Sequence, residues 1–156
     1  MDETAQRMNG FLVRVFNEIL RTEENCLAGS AFSDLSLREL HVIEAVGKAS
    51  ACGRNSAAEV ARRLRVTAGT LTTSVNLLVK KGYLARSQDA QDRRIKRIGL
   101  TDKGQEADRA HAAFHEEMVR AVCGRLTPEE IRVFARGLDS IGRFFEEKYE
   151  KGVHMP

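Results

Sequence analysis

Two helix starts lie only eleven residues apart, at Ser56 and Thr67, and this spacing constrains the fold more than any other feature. Ser56 is followed three residues later by Glu59, which is the pattern of a capping box, and Thr67 is a residue type that caps helices well. The first helix, "SAAEVARRL", is therefore short, and the second runs to Lys81, where Gly82 ends it. The sequence predicts two helices joined by a tight turn.

A β-hairpin is predicted directly after this helix pair. Residues 84–87 and 95–100 are rich in β-prone side chains, and the polar stretch "QDAQDRR" separates them. Two short helices followed by a hairpin with a charged tip are the parts of a winged helix-turn-helix, which we expect to occupy approximately residues 36–100.

Long amphipathic helices are predicted on both sides of this unit. Apolar residues recur at helical spacing from Thr4 to Leu27. A capping box at Ser36 starts the next helix, which we expect to end before the loop "GKASACGRN", residues 47–55. After the hairpin a helix is predicted from about 101 to 125, and Thr127, with Pro128 and Glu130 behind it, starts the last one.

The outer helices predict a dimer. Residues 131, 134, 138, 141 and 145 form an a/d seam, and a second apolar stripe covers residues 8–20. We expect one mainly α domain over residues 1–156 with a small β-hairpin wing, in which helices at approximately 4–28 and 101–150 join two copies. The alternative is that these stripes pack within one monomer.

Positive charge is concentrated in the predicted winged unit. Residues 54–97 hold 11 Lys and Arg against 3 acidic residues, whereas the rest of the chain holds 14 basic and 19 acidic residues. Such segregation indicates a surface for a polyanion, with nucleic acid favoured over an anionic membrane. No apolar run approaches the ~18 residues of a membrane span, and no apolar targeting segment opens the chain, so we expect a cytoplasmic protein with no membrane partner.

The second helix of the pair has the composition of a DNA recognition helix. Leu71, Val75 and Leu78 fall on its inner face, and its outer face is polar but uncharged. Hydroxyls, methyls and amides suit base edges and phosphates, and an asparagine can bond adenine bidentately. The predicted contacts from this helix are Thr67, Thr70, Thr72, Thr73 and Asn76.

Arginines at the hairpin tip complete the predicted surface. Arg93 and Arg94 would reach an adjacent minor groove or the phosphate backbone. Asp92 is expected to brace a neighbouring arginine rather than face DNA. The side chains predicted to neutralise nearby phosphates are Lys80, Lys81, Arg86, Lys96 and Arg97.

Together these segments resemble the MarR family of bacterial transcription regulators. The resemblance rests on "VTAGTLTTSVNLLVKKGYLAR", a D-x-x-D-R-R wing and "LTDKG", and it covers nearly the whole chain. The wing departs from the family pattern D-x-R-D-x-R, since Gln91 stands in place of the first arginine. The minor-groove contact would therefore depend on Arg93 and Arg94.

Three stretches narrow the resemblance to FabT-type repressors of fatty-acid synthesis genes: "FSDLSLRELHVIEAVG", "TAGTLTTSVNLLVKKGY" and "RAHAAFHEEMV". This resemblance implies a homodimeric repressor on a palindromic double-stranded operator, with long-chain acyl-acyl carrier protein as corepressor. The residues that could line an apolar ligand pocket are Leu12, Phe16, Leu40, His41, Ile43, Phe114 and Met118, and ordinary core packing is the alternative for each.

Other effectors stay open at this point. A zinc-sensing branch of the same family uses a His-rich site, and the residues that could supply one here are Glu24, His41, His111 and His115. Cys26 raises the option of a thiol oxidant, although Glu23 and Glu24 beside it would oppose a reactive thiolate. A small aromatic ligand is a further alternative.

Catalysis is not expected. The segment "HEEMV" has Val119 where the zinc-protease motif H-E-x-x-H requires histidine, and neither a Gly-rich phosphate loop nor a G-x-S-x-G motif is present. The three cysteines form no C-x-x-C pair, and we expect no cofactor. A module that binds an acidic protein instead of DNA is the remaining alternative.

Overall fold

The computed structural model describes residues 2–89, 92 and 94–150. Six helices and one two-stranded antiparallel sheet follow each other in the predicted order. The chain divides into two compact units, one ending at His111 and the other beginning at Ala112. The elements are α1 (Glu3–Ala28), α2 (Leu37–Ala51), α3 (Ala57–Leu64), α4 (Ala68–Lys80), β1 (Leu84–Gln88), β2 (Lys96–Leu100), α5 (Asp102–Cys123) and α6 (Pro128–Glu150).

The helix starts lie where the capping residues predicted them. The hydroxyls of Ser36, Ser56 and Thr67 each accept a backbone N–H from the first turn of α2, α3 and α4. Ser36 and Glu39 form the complete reciprocal box. The box at Ser56 is one-sided, because the carboxylate of Glu59 binds the guanidinium of the next-turn Arg62 instead. Each cap stabilises its helix by about 1 kcal/mol.

Helix α2 is longer than the sequence predicted. It continues through Gly47 to Ala51, where a loop was expected. Gly47 is needed for close packing, since a Cβ there would lie 2.7 Å from Asp108 Oδ2 and 3.2 Å from Leu100 Cδ1. The prediction was wrong because a glycine that admits a neighbouring element has the same sequence signature as one that ends a helix.

Hydrogen bonds between β2 and the residue before the cap of α3 attach the hairpin to the start of that helix. Leu84 pairs with Leu100 and Arg86 with Ile98 in the antiparallel register. The backbone N–H of Ile98 donates to the carbonyl of Asn55 at 2.9 Å, and Asn55 Nδ2 donates to the carbonyl of Ile98 at 2.8 Å. These reciprocal bonds fix the position of β2 against the helix-turn-helix.

A single apolar cluster supports the helix-turn-helix and the hairpin together. Val60 from α3, Leu78 from α4 and Ile98 from β2 are all buried in it with residues of α2. Burial of each side chain of this size contributes roughly 1.5–3 kcal/mol. The fully buried members are Ile43, Val46, Ala49, Val60, Leu78, Tyr83 and Ala107.

Tyr83 is the polar anchor of this core. Its hydroxyl donates to Asp34 Oδ1 at 2.5 Å, and this bond lowers the pKa of Asp34. Next to it, Lys81 Nζ lies 2.7 Å from Glu39 Oε1. Burial would raise the pKa of Glu39, but hydrogen bonds from Lys81 and Ser36 outweigh it and hold that pKa below its ordinary value. These bonds fix the end of α4 to the residues around the start of α2.

The second unit contains the end of α5 and the whole of α6. Thr127 and Glu130 form a complete capping box at the start of α6, as the sequence predicted. Over its described length, Pro128–Glu150, α6 has no buried residue. Large apolar side chains are exposed along it, namely Val133, Phe134, Leu138, Phe144, Phe145 and Tyr149.

The first helix also exposes apolar residues. Only Glu23 and Leu27 of α1 are buried, and both lie near its C-terminal end. The exposed large side chains are Met8, Phe11, Leu12, Val13 and Phe16. None of the helices in the described part of the chain is both long enough and apolar enough to span a membrane.

Gly104 and Gly10 provide a matched test of the packing between α5 and the hairpin. A Gly→Ala change inside a helix ordinarily stabilises by about 0.5–1 kcal/mol. At Gly104 the new Cβ would lie 2.2 Å from the carbonyl oxygen of Tyr83, whereas nothing lies within 4 Å at Gly10. We expect Gly104→Ala to destabilise by roughly 2 kcal/mol and Gly10→Ala to stabilise, in urea unfolding. Equal effects in the two variants would contradict this packing.

Candidate nucleic-acid interface

Helix α4 presents the polar face that the sequence predicted. Leu71, Val75 and Leu78 are buried beneath it. The exposed residues on its other side include every predicted contact of this helix and its cap: Thr67, Thr70, Thr72, Thr73 and Asn76. The apolar residues anchor the helix in the core, so that its uncharged polar side chains are held at the surface.

Two hydroxyls on this face already use their protons. Thr72 Oγ1 donates to the carbonyl of Ala68 at 2.8 Å, and Thr73 Oγ1 donates to the carbonyl of Gly69 at 3.2 Å. A hydroxyl bonded in this way presents its remaining lone pair and its methyl group to a ligand. Such groups suit amino groups of bases and thymine methyls better than phosphate oxygens, which need a donor.

A cleft of about 200 Å³ separates α4 from the hairpin. Leu71, Val75 and Ile98 contribute apolar surface to it, while Arg86 and Lys96 supply positive charge from the strands. Thr72, Asn76 and Ala57 complete the lining. The cleft brings the polar face of α4 and the basic residues of the wing into one continuous surface.

Asn76 is bonded to the wing. The Nη2 of Arg86 donates to Asn76 Oδ1 at 2.6 Å, and both side chains are exposed. The sequence indicated a bidentate bond from this asparagine to adenine, which requires the same oxygen as an acceptor. Arg86 was predicted to lie at a phosphate, and its bond to Asn76 was not predicted. The hairpin register indicates this bond, because Arg86 stands opposite the buried Ile98.

Arg97 is bound by acceptors within the protein. It forms an ion pair with Asp89. Its Nη1 also donates to the carbonyl of Gly53 and to Asn55 Oδ1, each at 2.9 Å. Lys81, also predicted at a phosphate, is bound by Glu39 and by the carbonyl of Asp34. Acceptors within the fold therefore hold both cations, and a phosphate contact from either would compete with these bonds.

The wing tip is shaped by backbone hydrogen bonds. The N–H of Asp92 donates to Asp89 Oδ1, and the N–H of Arg94 donates to Asp92 Oδ1, both at 2.9 Å. Asp92 therefore braces the backbone of a neighbouring arginine, Arg94. The side chain of Arg94 is exposed, as are those of Lys80 and Lys96. Arg93 and Gln91 lie outside the described residues.

A buried carboxylate and two histidines form a separate polar cluster in the first unit. His111 Nε2 lies 3.1 Å from Glu23 Oε1, and both side chains are almost fully buried. His41 Nε2 lies 3.9 Å from Glu23 Oε2. The sequence named Glu24 as the candidate ligand, but Glu24 is exposed. Because α1 turns about 100° per residue, it is Glu23 that faces inward with Leu27.

The predicted ligand-pocket residues have different environments. Leu40 and Ile43 are buried core residues, and His41 is half-buried on α2. Leu12 and Phe16 are exposed on α1. In the second unit, Phe114, Met118 and the metal candidate His115 are half-buried on α5. The pocket itself stays a prediction.

Comparisons with known proteins agree with this geometry. A profile of the MarR family matches residues 33–95. The transcriptional regulator AdcR of Streptococcus pneumoniae serotype 2 (strain D39) is 30% identical over 149 residues, which cover 90% of this chain and 97% of AdcR. The protein is also similar to solved structures of two proteins.

The crystal structure of Streptococcus pneumoniae FabT in complex with DNA superposes with a TM-score of 0.82 and 40% sequence identity, over 92% of this chain and 98% of that one. The Staphylococcus aureus MepR–DNA complex superposes with a TM-score of 0.66 and 22% identity, over 88% of this chain and 97% of that one. The MepR similarity supports the fold alone.

Substitutions of Arg94 and Arg97 distinguish a residue that contacts DNA from one that stabilises the wing. We expect Arg94→Ala to weaken DNA binding by about tenfold or more, which corresponds to ~1.4 kcal/mol, without changing the melting temperature or the oligomeric state. Arg97→Ala should lower both DNA affinity and the melting temperature, because it removes the bonds to Asp89 and Asn55. Fluorescence anisotropy and thermal unfolding measure the two effects. Unchanged DNA affinity of Arg94→Ala would refute the assignment of the wing tip.

Proposed function

Because the chain belongs to the MarR family of DNA-binding transcriptional regulators, we propose that it is a homodimeric repressor of fatty-acid synthesis genes that acts in the cytoplasm. The observation that carries this proposal is the 40% identity to FabT over 92% of the chain. FabT-type regulators repress such genes. The relatives found are regulators, and the polar face of α4 beside a basic wing is suited to DNA rather than to catalysis.

The proposed target is a palindromic double-stranded operator. A major groove about 12 Å wide admits α4 with its exposed threonines and Asn76. Lys80, Arg86 and Lys96 would lie along the phosphates, while Arg93 and Arg94 at the wing would reach the adjacent minor groove. A two-fold dimer would place two copies of α4 about 34 Å apart, which is one helical turn of DNA.

Exposed apolar stripes support the proposed dimer. On α6, Phe134, Leu138 and Phe145 keep the heptad spacing, and all three are exposed. On α1, Met8, Phe11 and the residues around them are likewise exposed. Surfaces of this kind are ordinarily covered by a partner. A second copy of the chain can cover both stripes.

Long-chain acyl-acyl carrier protein is the proposed corepressor. The acyl chain would lie among the predicted pocket residues, which the sequence places at the base of the dimerisation helices: Leu12, Phe16, Leu40, His41, Ile43, Phe114 and Met118. A ligand that binds better when the two recognition helices match the operator shifts the population toward that arrangement. Coupling of about 1–3 kcal/mol is enough for a useful switch.

A divalent metal such as zinc is a second candidate effector, because of the cluster at Glu23. Two ligands about 2.1 Å from a tetrahedral zinc lie about 3.4 Å apart, and His111 Nε2 lies 3.1 Å from Glu23 Oε1. His41 provides a further nitrogen beside the same carboxylate. The donor set therefore fits zinc, and the same contacts also serve as a hydrogen-bonded pair in a buried site.

Leu138→Glu tests the dimer. A carboxylate in the middle of the apolar seam of α6 should convert the dimer into a monomer, because a buried charge without a partner is costly. Arg136 lies on the opposite side of the same helix, so Arg136→Glu should leave the dimer intact. Size-exclusion chromatography with light scattering gives the mass, and circular dichroism checks the helix content. A folded Leu138→Glu variant that still dimerises would contradict the role of this seam.

The effector is tested by fluorescence anisotropy on a labelled duplex from a fatty-acid synthesis promoter. We expect binding to become at least fivefold tighter, equal to ~1 kcal/mol, when acyl carrier protein carries a long acyl chain, and not with unacylated carrier. A change produced by zinc and abolished by Glu23→Gln would favour the metal instead. If neither acylated carrier protein nor zinc changes DNA binding, both effectors are excluded, and the proposal of a DNA-binding regulator remains.

A further inference from the structure

We infer that Arg86 sets the base preference of Asn76 by binding its carbonyl oxygen, so that Asn76 recognises the N7 of a purine through its amide N–H groups alone. The observation is the 2.6 Å bond from Arg86 Nη2 to Asn76 Oδ1 at the edge of the DNA-facing cleft. This inference rests on the proposed insertion of α4 into the major groove. It is independent of the genes and the effector proposed above.

The hairpin register directs Arg86 toward α4. Arg86 stands directly opposite Ile98 in the antiparallel pair, and directly opposite residues share a face of the sheet. Ile98 is buried against the core and lines the cleft beside α4. Arg97, one position away from Ile98, therefore lies on the other face, where it binds Asn55 and Gly53. Because side chains alternate along a strand, the two arginines lie on opposite faces of the sheet and bind different partners.

The chemistry of the pair determines which atoms of Asn76 are available. A guanidinium has donors and no acceptor, so the group of Asn76 that it binds must be the oxygen. The orientation of the amide follows from this, with Nδ2 and its two N–H groups left for another partner. Thr72, one turn earlier on α4, also lines the cleft, and its proton is bonded to Ala68.

A donor-only amide reads DNA differently from a free asparagine. The bidentate contact with adenine needs an oxygen for the N6 amino group and an N–H for N7. Arg86 occupies one of the two lone pairs of that oxygen, and its guanidinium would oppose the approach of the N6 amino group, itself a donor, to the other. The contact that remains is the one with N7, which is an acceptor in adenine and guanine alike. The wild-type protein should therefore accept either purine at this position, while a protein lacking Arg86 should prefer adenine.

Base analogues in a duplex selected from a random library by the wild-type protein test this inference. Replacing a purine by its 7-deaza form removes N7, and replacing adenine by unsubstituted purine removes the N6 amino group. We expect 7-deaza substitution to weaken wild-type binding by about tenfold at one position in each half-site, and Asn76→Ala to abolish that sensitivity. With adenine at the same position, loss of the amino group should change wild-type affinity by less than about twofold and Arg86→Met affinity by about fivefold or more.

Lys96→Met is the matched control. It removes one exposed positive charge from the same cleft without touching Asn76, so it should weaken binding at all sequences alike and keep the wild-type pattern. The inference is overturned if wild-type protein senses the amino group where Asn76 acts, if Asn76→Ala alters no position, or if Arg86→Met and Lys96→Met give the same pattern.

Discussion

The reciprocal hydrogen bonds between Asn55 and Ile98 hold the DNA-facing surface together. They join β2 to the residue that precedes the cap of α3, and Arg97 reinforces the same junction through Asn55 and Gly53. A hairpin alone is marginally stable in water, so it needs such an attachment to keep one orientation. With β2 fixed, its cross-strand partners on β1 are fixed as well, and Arg86 reaches α4.

Two kinds of side chain lie at this surface, namely uncharged threonines and exposed cations. Threonines on α4 bind their own helix through their protons and turn the remaining lone pairs and methyl groups outward. The exposed cations lie on the strands, at the end of α4 and at the wing tip, where they can approach phosphates from both sides of a groove. In the proposed complex with DNA, affinity would depend mainly on these charges, and selectivity on the few uncharged groups that the core holds in place.

The long outer helices carry a different kind of surface. They leave apolar residues exposed on α1 and α6 at spacings that suit helix-to-helix packing. Near the end of α1, Glu23 forms a polar cluster with His111 and His41. In the proposed dimer, an effector bound at this cluster would alter how the two copies are held.

The sequence by itself determined where most helices begin, since capping residues such as Ser36 and Thr127 act within four residues of the chain. It also determined the hairpin, the buried face of α4 and the basic character of the unit, because these follow from local periodicity and composition. The family and its DNA-binding role could be recognised from the same segments. These properties depend on neighbours along the chain.

Only the tertiary structure decided which partner each long polar side chain chooses. Arg86 and Arg97 look alike in the sequence, yet one binds Asn76 and the other binds Asp89, because they fall on opposite faces of the hairpin. Gly47 lies inside a helix, close to Asp108, and Glu23 rather than Glu24 faces His111 because of the rotation of α1. Long side chains reach several acceptors, and contacts between distant residues select among them.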